Sequence, residues 1–401
     1  MDALDRRITR FYDRWHRFER TLGKDDGQIL DFDLAPRDHR SDEVPFDSRR
    51  AALRALSALR DEASASKHGE YVSAKLAGAE GYLRALMGER SDLDAYLRAT
   101  MGVGAEPAGD EWIETEGAAL AALFEKRGVA WTPEGRASYR AVFGRTDLSS
   151  FEAELREHAR AWLARVNALL PCPMTPEYSL EVVREDAYWT NWIDGSVETG
   201  VRLRVNTHAR TEYVVGSSLV LAAHEIAGHA LHVAMLRAEV EAGRLPGCAL
   251  NLTVHACEAF HMEGLAQCVL HLAPPGVVPD EVLLIDRHNA FRNEVVNGAQ
   301  VRLERGARID EVLDWAGRTC PLVAPLGIAS DLRDRARQPL YRSYVHVYAP
   351  SRRLFVQAAR LPEGPRRDFF ARAYRSLMTP TELARLLATC QGSAAASKAQ
   401  S

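Results

Sequence analysis

The sequence lacks the features of a disulfide-bonded, nucleic-acid-binding or membrane-spanning protein. Its six cysteines form no CxxC pair and no framework spacing, so we expect free thiols in a reducing compartment. A formal net charge of −4 offers no basic footprint, and no nucleic-acid partner is expected. No window resembles the roughly 20 apolar residues of a membrane span, and the amino-terminal stretch has no signal-peptide core. We therefore expect a cytoplasmic protein without a membrane partner.

The composition and the periodicity indicate a mainly helical protein. Hydrophobic residues make up 46% of the 401-residue chain and charged residues 26%, as in globular proteins. Apolar residues recur at helical spacing through the first 170 residues, and three prolines between positions 171 and 176 then mark a boundary. We predict a mainly α (α+β) fold with a helical region over 1–170, a catalytic domain over 171–390 and a disordered tail over 391–401.

The stretch HEIAGH places two histidines and a glutamate where a metal site could form. His224 and His229 are five residues apart, so on a regular α-helix their rings would diverge by roughly 140°. A π-bulge takes up one extra residue and realigns the rings, and such bulges favour functional sites. Gly228 lowers the cost of this distortion. We therefore predict a local π turn, two histidine ligands, and Glu225 as the base that hydrolysis requires.

Other acidic and histidine side chains leave the ligand set open. Glu225, His229 and His232 follow the i, i+4, i+7 spacing of a regular helix, but that set would use up the base. A second helix, predicted over residues 253–272, offers Glu258 and Glu263 as the third ligand. Glu263 is favoured because apolar neighbours flank it, and an unpaired charge there would be costly without a cation. Glu258 could instead orient a ligating imidazole.

HEIAGH followed by MEGLA resembles the HExxxH metallopeptidase family of the flavohaemoglobin-expression-modulating QEGLA-motif proteins, which includes the tubulin tyrosine carboxypeptidases. The resemblance covers roughly residues 188–272 and, more loosely, 291–355; Met262 stands where the family motif has Gln. It implies a gluzincin-like helical core and one Zn²⁺ per chain held by His224, His229 and Glu263. It also implies Glu225 as general base and suggests carboxypeptidase-like action on a peptide or protein C-terminus.

Short alternating runs after residue 180 predict a small antiparallel sheet at the cleft. Asp194 and Gly195 are the expected hairpin turn, and the stretch VRLRVNT is the expected edge strand beside the metal helix. An edge strand could hold an extended substrate by backbone pairing. Arg204, Asn206 and Arg210 are the predicted substrate contacts, since a guanidinium matches a carboxylate with two parallel hydrogen bonds.

The stretch PLYRSYVHVYAPSRRLF concentrates aromatic and polar residues near the carboxyl end of the chain. A phenol or imidazolium beside a metal could stabilise the oxyanion of hydrolysis by roughly 3–4 kcal/mol. Tyr344 and His346 are the predicted donors, Tyr348 is an alternative, and Arg342 is a further predicted substrate contact. An aromatic packing stripe is the competing interpretation.

Together these patterns predict a zinc-dependent metallopeptidase that hydrolyses peptide bonds through activated water. Two alternatives come from other classes. One is a zinc amide hydrolase that acts on a small or modified peptide metabolite. The other is a catalytically inactive interaction protein on the same scaffold, which the intact Glu225 disfavours.

Overall fold

The computed structural model describes residues 3–23, 29–35, 44–64, 69–145, 147–186, 190–208 and 212–399. These residues form a mainly helical fold with a small mixed sheet, which confirms the predicted class. In the first part of the chain the helices are Ala3–Thr21 (α1), Arg49–Ser64 (α2), Gly69–Leu86 (α3), Leu93–Met101 (α4), Asp110–Glu125 (α5), Gly135–Phe143 (α6) and Phe151–Asn167 (α7). The strands are Phe32–Asp33 (β1), Gly144–Arg145 (β2), Tyr178–Val183 (β3), Asn191–Ser196 (β4), Gly200–Asn206 (β5), Tyr213–Val214 (β6) and Asn251–Leu252 (β7).

A continuous helical rod runs from Ser217 to Glu241 and changes winding at its centre. It consists of Ser217–Leu221 (α8), a π-helical segment over Ala222–Ala230 and Leu231–Glu241 (α9). By length and composition this rod could cross a membrane, which the sequence analysis did not expect. Because 72% of its most apolar window is buried inside the protein, the composition fits a core helix equally well.

The remaining helices follow the rod in sequence, and α10 packs against its π-helical segment. They are Glu258–Cys268 (α10), Asp280–Glu304 (α11), Ile309–Thr319 (α12), Pro325–Arg337 (α13), Pro339–Ser343 (α14), Tyr348–Ala359 (α15), Glu363–Ala373 (α16) and Pro380–Ala399 (α17), with 3₁₀ turns at Gly247–Leu250, Val269–Leu272 and Tyr344–His346. Helix α17 extends into the segment predicted to be a disordered tail. That segment is rich in alanine, the residue with the highest helix propensity. The prediction of a tail gave this propensity too little weight.

The hydrophobic core does not divide at residue 170, where the sequence suggested a boundary. One cluster joins apolar side chains of α1 to α4 and α7 with those of the rod, α10 and α15 to α17. Trp15 and Trp162 from the amino-terminal part are fully buried in it beside Leu231 and Phe355. A second cluster joins α5 and α6 to α11, α12 and α13. Helices α1 to α4 and α7 therefore share a core with the rod, and α5 and α6 share one with α11 to α13.

The larger sheet has the strand order β3-β5-β4-β1-β7 and is mixed, so the antiparallel prediction was wrong. Strand β5 pairs parallel to β3 and antiparallel to β4, which makes it an interior strand and not the predicted edge. Asp194 and Gly195 lie inside β4, and the chain reverses over residues 197–199 instead. Strand β1 pairs with only the last two residues of β4. The first half of β4 is thus strand-paired only on its β5 side within the described sheet.

Candidate metal centre

The π-helical segment brings the two histidines of the HExxxH stretch together. Its winding is seen in the backbone N–H of Leu231, which bonds to the carbonyl of Ile226, five residues earlier. The Nε2 atoms of His224 and His229 are 3.2 Å apart, and their ring centroids are separated by 4.8 Å. The predicted π distortion is confirmed. It gives two side chains with five-residue spacing a common direction that a regular α-helix could not provide.

Glu263 reaches the same point from α10. Its Oε2 lies 3.5 Å from Nε2 of His224, and its Oε1 lies 3.7 Å from Nε2 of His229. The three side chains offer ligand atoms that all lie within 4.8 Å of one another. Two imidazoles and one carboxylate are the donor set of many catalytic zinc sites, in which a fourth position remains open.

Buried polar atoms at this point lack partners inside the described protein. Glu263 Oε2 and His229 Nδ1 are both buried without a hydrogen bond. Burial raises the pKa of Glu263 to about 7, although the hydrogen bond from Tyr344 favours its charged form. Burial also lowers the pKa of His224 to about 4 and that of His229 well below its usual range, which favours the neutral imidazole that ligates metals. The three residues therefore fit a divalent ion, which would satisfy Glu263 Oε2; His229 faces the cluster with Nε2, so such an ion does not account for its Nδ1.

Two glycines allow the helices of the site to approach closely. A Cβ on Gly228 would stand 2.6 Å from the Cα of Ala266 in α10, inside any allowed contact. A Cβ on Gly264 would stand 2.4 Å from Cδ2 of Phe355 in α15. The glycine of the HExxxH stretch thus serves the contact between the rod and α10. Its predicted role had been only to ease the distortion.

Glu258 is not part of the metal centre, which settles one alternative left open by the sequence. Its carboxylate pairs with the ammonium of Lys75 from α3, and both side chains are fully buried. The backbone N–H and the hydroxyl of Thr253 also donate to Glu258 Oε1, at 3.3 and 3.0 Å. Helix α10 begins at Glu258, five residues later than predicted. The Glu258 carboxylate binds Thr253 in the chain that precedes the helix. The prediction that Glu258 could orient a ligating imidazole was therefore wrong.

His232 also lies outside the cluster. Its Nε2 is 3.2 Å from the carbonyl oxygen of Ser376, and its ring centroid is 5.0 Å from that of His261. The competing set of Glu225, His229 and His232 is therefore not brought together. The π segment turns His232 away from the point that His229 faces, because it shifts the phase of the following helix.

Glu225 lies beside the cluster of His224, His229 and Glu263 without belonging to it. The side-chain amide of Asn191 in β4 donates to its Oε1 at 2.6 Å, and that Oε1 lies 4.0 Å from Nε2 of His224. Burial, with repulsion from Glu263 as a second cause, raises the pKa of Glu225 to about 8. A carboxylate held by one amide next to a metal site is positioned to exchange a proton with water there. Asn191 was missed by the sequence analysis, since a single asparagine in a short strand gives no recognisable signal.

Tyr344 lies at the centre, whereas His346 does not. The Tyr344 hydroxyl donates to Glu263 Oε1 at 2.7 Å, and the Tyr348 hydroxyl donates to that of Tyr344 at 2.8 Å. His346 is fully buried, with Nδ1 3.3 Å from Oε1 of Gln300, and it does not line the cavity. The proposed oxyanion role of His346 is therefore corrected. The 3₁₀ turn at Tyr344–His346 points these two side chains in different directions.

The two predicted substrate contacts on β5, Arg204 and Asn206, bind neighbouring residues of the protein. Arg204 donates to Asp194 Oδ2 at 2.7 Å, and Asp194 lies on the face of β4 opposite to Asn191, since side chains alternate along a strand. Asn206 is fully buried, where its Oδ1 accepts from the backbone N–H of Glu185 at 3.1 Å. Both predictions of substrate contact are corrected. Because β5 lies between β3 and β4, the chain on both sides of it supplies partners for these side chains.

The two remaining arginine predictions have different outcomes. Arg342 binds Glu304 through Nε at 3.2 Å and through Nη2 at 3.1 Å, and it also donates to the carbonyl of Ser91 at 2.9 Å. Its guanidinium ties α14 to α11, so the prediction of a substrate contact is corrected. Arg210 lies outside the described residues.

A cavity of about 270 Å³ opens next to the cluster. His224, Glu225, His229 and Glu263 line one side of it, together with Tyr344 and Tyr348. The other side is formed by β1, the start of β4 and the chain around β7. The volume of the cavity is close to the lower end of the range found for small-molecule sites.

Comparison with known proteins shows the fold alone. The fold is similar to the crystal structure of a protein from Colwellia psychrerythraea that is provisionally described as a lipoprotein, with a TM-score of 0.54 and 13% sequence identity. The similarity covers 86% of this chain and 70% of that one. No family model and no curated protein matches the sequence. The resemblance to the HExxxH metallopeptidases and the cytoplasmic location stay predictions.

Proposed function

We propose that this protein is a zinc-dependent metallopeptidase that hydrolyses peptide bonds. The observation that carries the proposal is the convergence of His224, His229 and Glu263 on one point, achieved by a π turn that the sequence spacing requires. The buried Oε2 of Glu263, which has no hydrogen bond, supports it, because burying a carboxylate oxygen without a partner is costly unless a cation binds. The gluzincin-like core is part of the same proposal.

The side chains around the cavity have distinct roles in this proposal. When bound, zinc supplies a Lewis acid that polarises a carbonyl and lowers the pKa of water toward neutrality. Glu225 accepts a proton from the attacking water and returns it to the leaving amine. Asn191 orients Glu225 by donating to Oε1. Tyr344 has one hydroxyl proton, and that proton is directed at Glu263, so Tyr344 orients a ligand and is not an oxyanion donor in this arrangement.

The first half of β4 supports peptide binding. Residues 191–193 line the cavity and have a strand partner only on the β5 side in the described sheet. The other backbone edge of these cavity-lining residues has no strand partner in the described sheet, and in this proposal it pairs with an extended peptide. This role was assigned to β5 from sequence, and we now assign it to β4. Recognition of a substrate carboxylate by Arg204 or Arg342 is not part of the proposal, because both guanidinium groups bind carboxylates of the fold.

Metal analysis of the purified protein tests the proposal. After zinc reconstitution and removal of free metal, we expect about one zinc ion per chain in the wild type, as such a site requires. Glu263→Gln should lose most of that zinc. The matched control Lys75→Met/Glu258→Gln removes both charges of the buried pair and should keep its zinc if folded. A folded wild type without zinc, or zinc loss confined to the control, would contradict the ligand set.

A further inference from the structure

Asp31 lines the same cavity as the candidate metal ligands and has a fixed backbone position. Its backbone N–H donates to the carbonyl of Leu252 in β7 at 3.0 Å, and its carbonyl accepts from the N–H of Gly195 in β4 at 3.0 Å. These two bonds hold the residue between the strands on either side of β1. Because both the N–H and the carbonyl of Asp31 are hydrogen-bonded, its backbone is fixed where the residue lines the cavity.

The Asp31 carboxylate has no hydrogen-bond or ion-pair partner in the part of the chain that the structure describes. Burial and then Glu263 are the main causes that raise the pKa of Tyr344 and that of Tyr348, and the charge of Asp31 adds the smallest part. Burial, followed by repulsion from Glu263 and Asp194, raises the pKa of Asp31 itself to about 8. A negative group in this position is unfavourable in the protein alone and would be stabilised by a positive ligand.

The charges around the cavity are unbalanced in a way that a substrate could correct. Three carboxylates line it, those of Asp31, Glu225 and Glu263, and no lysine or arginine is among its described lining residues. A divalent ion offsets two of these negative charges, and one positive charge on a substrate offsets the third. Arg202 and Arg204 on β5 do not balance these charges, because both bind Asp194.

The wall around Asp31 is apolar and suits the carbon chain that carries such a charge. Phe32, Leu252, Val254 and Met262 line the cavity together with Asp31. An amine on an apolar stem can bury its methylene groups against these side chains while its charged end meets the carboxylate. A substrate carboxylate in the same place would be repelled by Asp31 without compensation.

We propose that Asp31 is a specificity-determining residue that selects substrates with a protonated amine or guanidinium, from either a free amino terminus or a lysine or arginine side chain. This inference rests on the proposed peptidase function and names its substrate class. It disfavours the carboxypeptidase-like preference that the sequence resemblance suggested. The charge-assisted bond between the substrate cation and Asp31 would contribute both affinity and orientation of the scissile bond.

The experiment measures peptide capture by the full-length, zinc-loaded Glu225→Gln protein, which should not consume its ligand. The probe is a set of hexapeptides in which each member carries lysine or norleucine at one position and a free or acetylated amino terminus. Captured peptides are quantified by mass spectrometry. We expect cationic members to be enriched about tenfold or more over their neutral counterparts, as for a charge-assisted hydrogen bond. Loss of enrichment on acetylation identifies the amino terminus, and loss with norleucine identifies a side chain.

Two aspartate variants test whether Asp31 causes the preference for cationic peptides. Asp31→Asn in the same background should reduce the enrichment to near unity while zinc content stays unchanged. Asp61→Asn is the matched control, because Asp61 is exposed on α2 and does not line the cavity; it should preserve the enrichment. Equal capture of cationic and neutral members, capture of none, or a preference that survives Asp31→Asn would overturn the role of Asp31.

Hydrolysis of the same peptides by the wild type separates this inference from the proposed function. If no peptide is hydrolysed but capture depends on Asp31, the peptidase proposal fails and the cation site stands. If peptides are hydrolysed without any preference for charge, the peptidase proposal stands and the cation site fails. The two failures therefore give different results.

Discussion

Gly228 lies directly against Ala266, so closely that a Cβ at residue 228 would meet both the Cα and the Cβ of Ala266, at 2.6 and 2.7 Å. This contact joins the helix that carries both histidines to the helix that carries Glu263. The separation of these two helices sets the distance between the imidazoles and the carboxylate. The geometry of the cluster therefore requires glycine at residue 228, because a larger side chain would push the two helices apart.

Replacement of Gly228 by alanine should separate the two helices. We expect Gly228→Ala to lower the free energy of unfolding by roughly 1–3 kcal/mol, the usual cost of overpacking, and to weaken zinc binding. Chemical denaturation and a zinc competition assay measure the two effects. Gly317→Ala is the matched control, because Gly317 in α12 has no atom within 4 Å of an added Cβ. A Gly228→Ala protein with native stability and native zinc affinity would show that the close contact is unimportant.

Loss of the Tyr344 hydroxyl should loosen a ligand without removing it. Tyr344→Phe eliminates the 2.7 Å hydrogen bond to Glu263 while it keeps the ring in place. We expect zinc affinity to fall about 10-fold to 100-fold, as for other groups that orient metal ligands. Competition with a fluorescent chelator gives the affinity. Tyr348→Phe should have a smaller effect because it reaches Glu263 through Tyr344; an equal or larger effect would reverse the assigned order.

The buried pair of Lys75 and Glu258 should be essential for folding and irrelevant for the metal ligands. Lys75→Met leaves the Glu258 carboxylate buried without its cation, so we expect a loss of about 3–5 kcal/mol in the free energy of unfolding. The additional change Glu258→Leu removes the uncompensated charge and should recover part of that loss. Denaturant titrations of the single and double variants test this. A single variant as stable as the wild type would mean that the pair contributes little.

The acid side of the stability profile should depend on Glu154. This α7 carboxylate accepts from Arg145 at 2.6 and 2.8 Å and from Ser218 at the start of the rod at 2.8 Å. The hydrogen bonds from Arg145 are the main cause that lowers its pKa from 4.5 to about 2. Because the pKa is lowered in the folded protein, the stabilisation is complete above about pH 4.5 and is lost as the pH falls toward 2.

Glu154→Gln should therefore flatten the decline of stability between those pH values. At neutral pH we expect a loss of no more than about 1 kcal/mol, since the carboxylate is partly exposed and solvent screens the pair. Unfolding midpoints measured from pH 2 to pH 7 give the profile. Glu157→Gln, an exposed neighbour on the same helix, is the control and should leave the profile unchanged. Parallel profiles for Glu154→Gln and the wild type would contradict the assignment.

The local pattern of the sequence was sufficient to predict the metal cluster. His224 and His229 could be recognised as a pair because their spacing and the need for a π turn are local properties of one helix. Glu263 could be preferred over Glu258 because it had apolar neighbours. The true partner of Glu258, however, is Lys75, which is 183 residues away in sequence and had no recognisable link to it. Local patterns predicted side-chain types at the site, and long-range pairing decided which of them were available.

The cavity wall could not be predicted for the same reason. Asp31 belongs to no recognisable motif, and only the pairing of its chain segment with β4 and β7 brings it to the site. Arg204 and Arg342 have the chemistry of substrate contacts, but the sheet and α11 supply carboxylates that bind them first. Which arginine is free depends on strand order and helix packing, and neither is written in a local motif.

The central claim is that Glu225 transfers the proton in a zinc-dependent peptide hydrolysis. The most direct test compares hydrolysis of a peptide library by zinc-loaded wild type and Glu225→Gln, with product detection by mass spectrometry and with the zinc content of both proteins measured. We predict cleavage by the wild type and a rate at least about 100-fold lower for Glu225→Gln at equal zinc content, as expected when a general base is removed. Hydrolysis by Glu225→Gln at the wild-type rate would contradict the account.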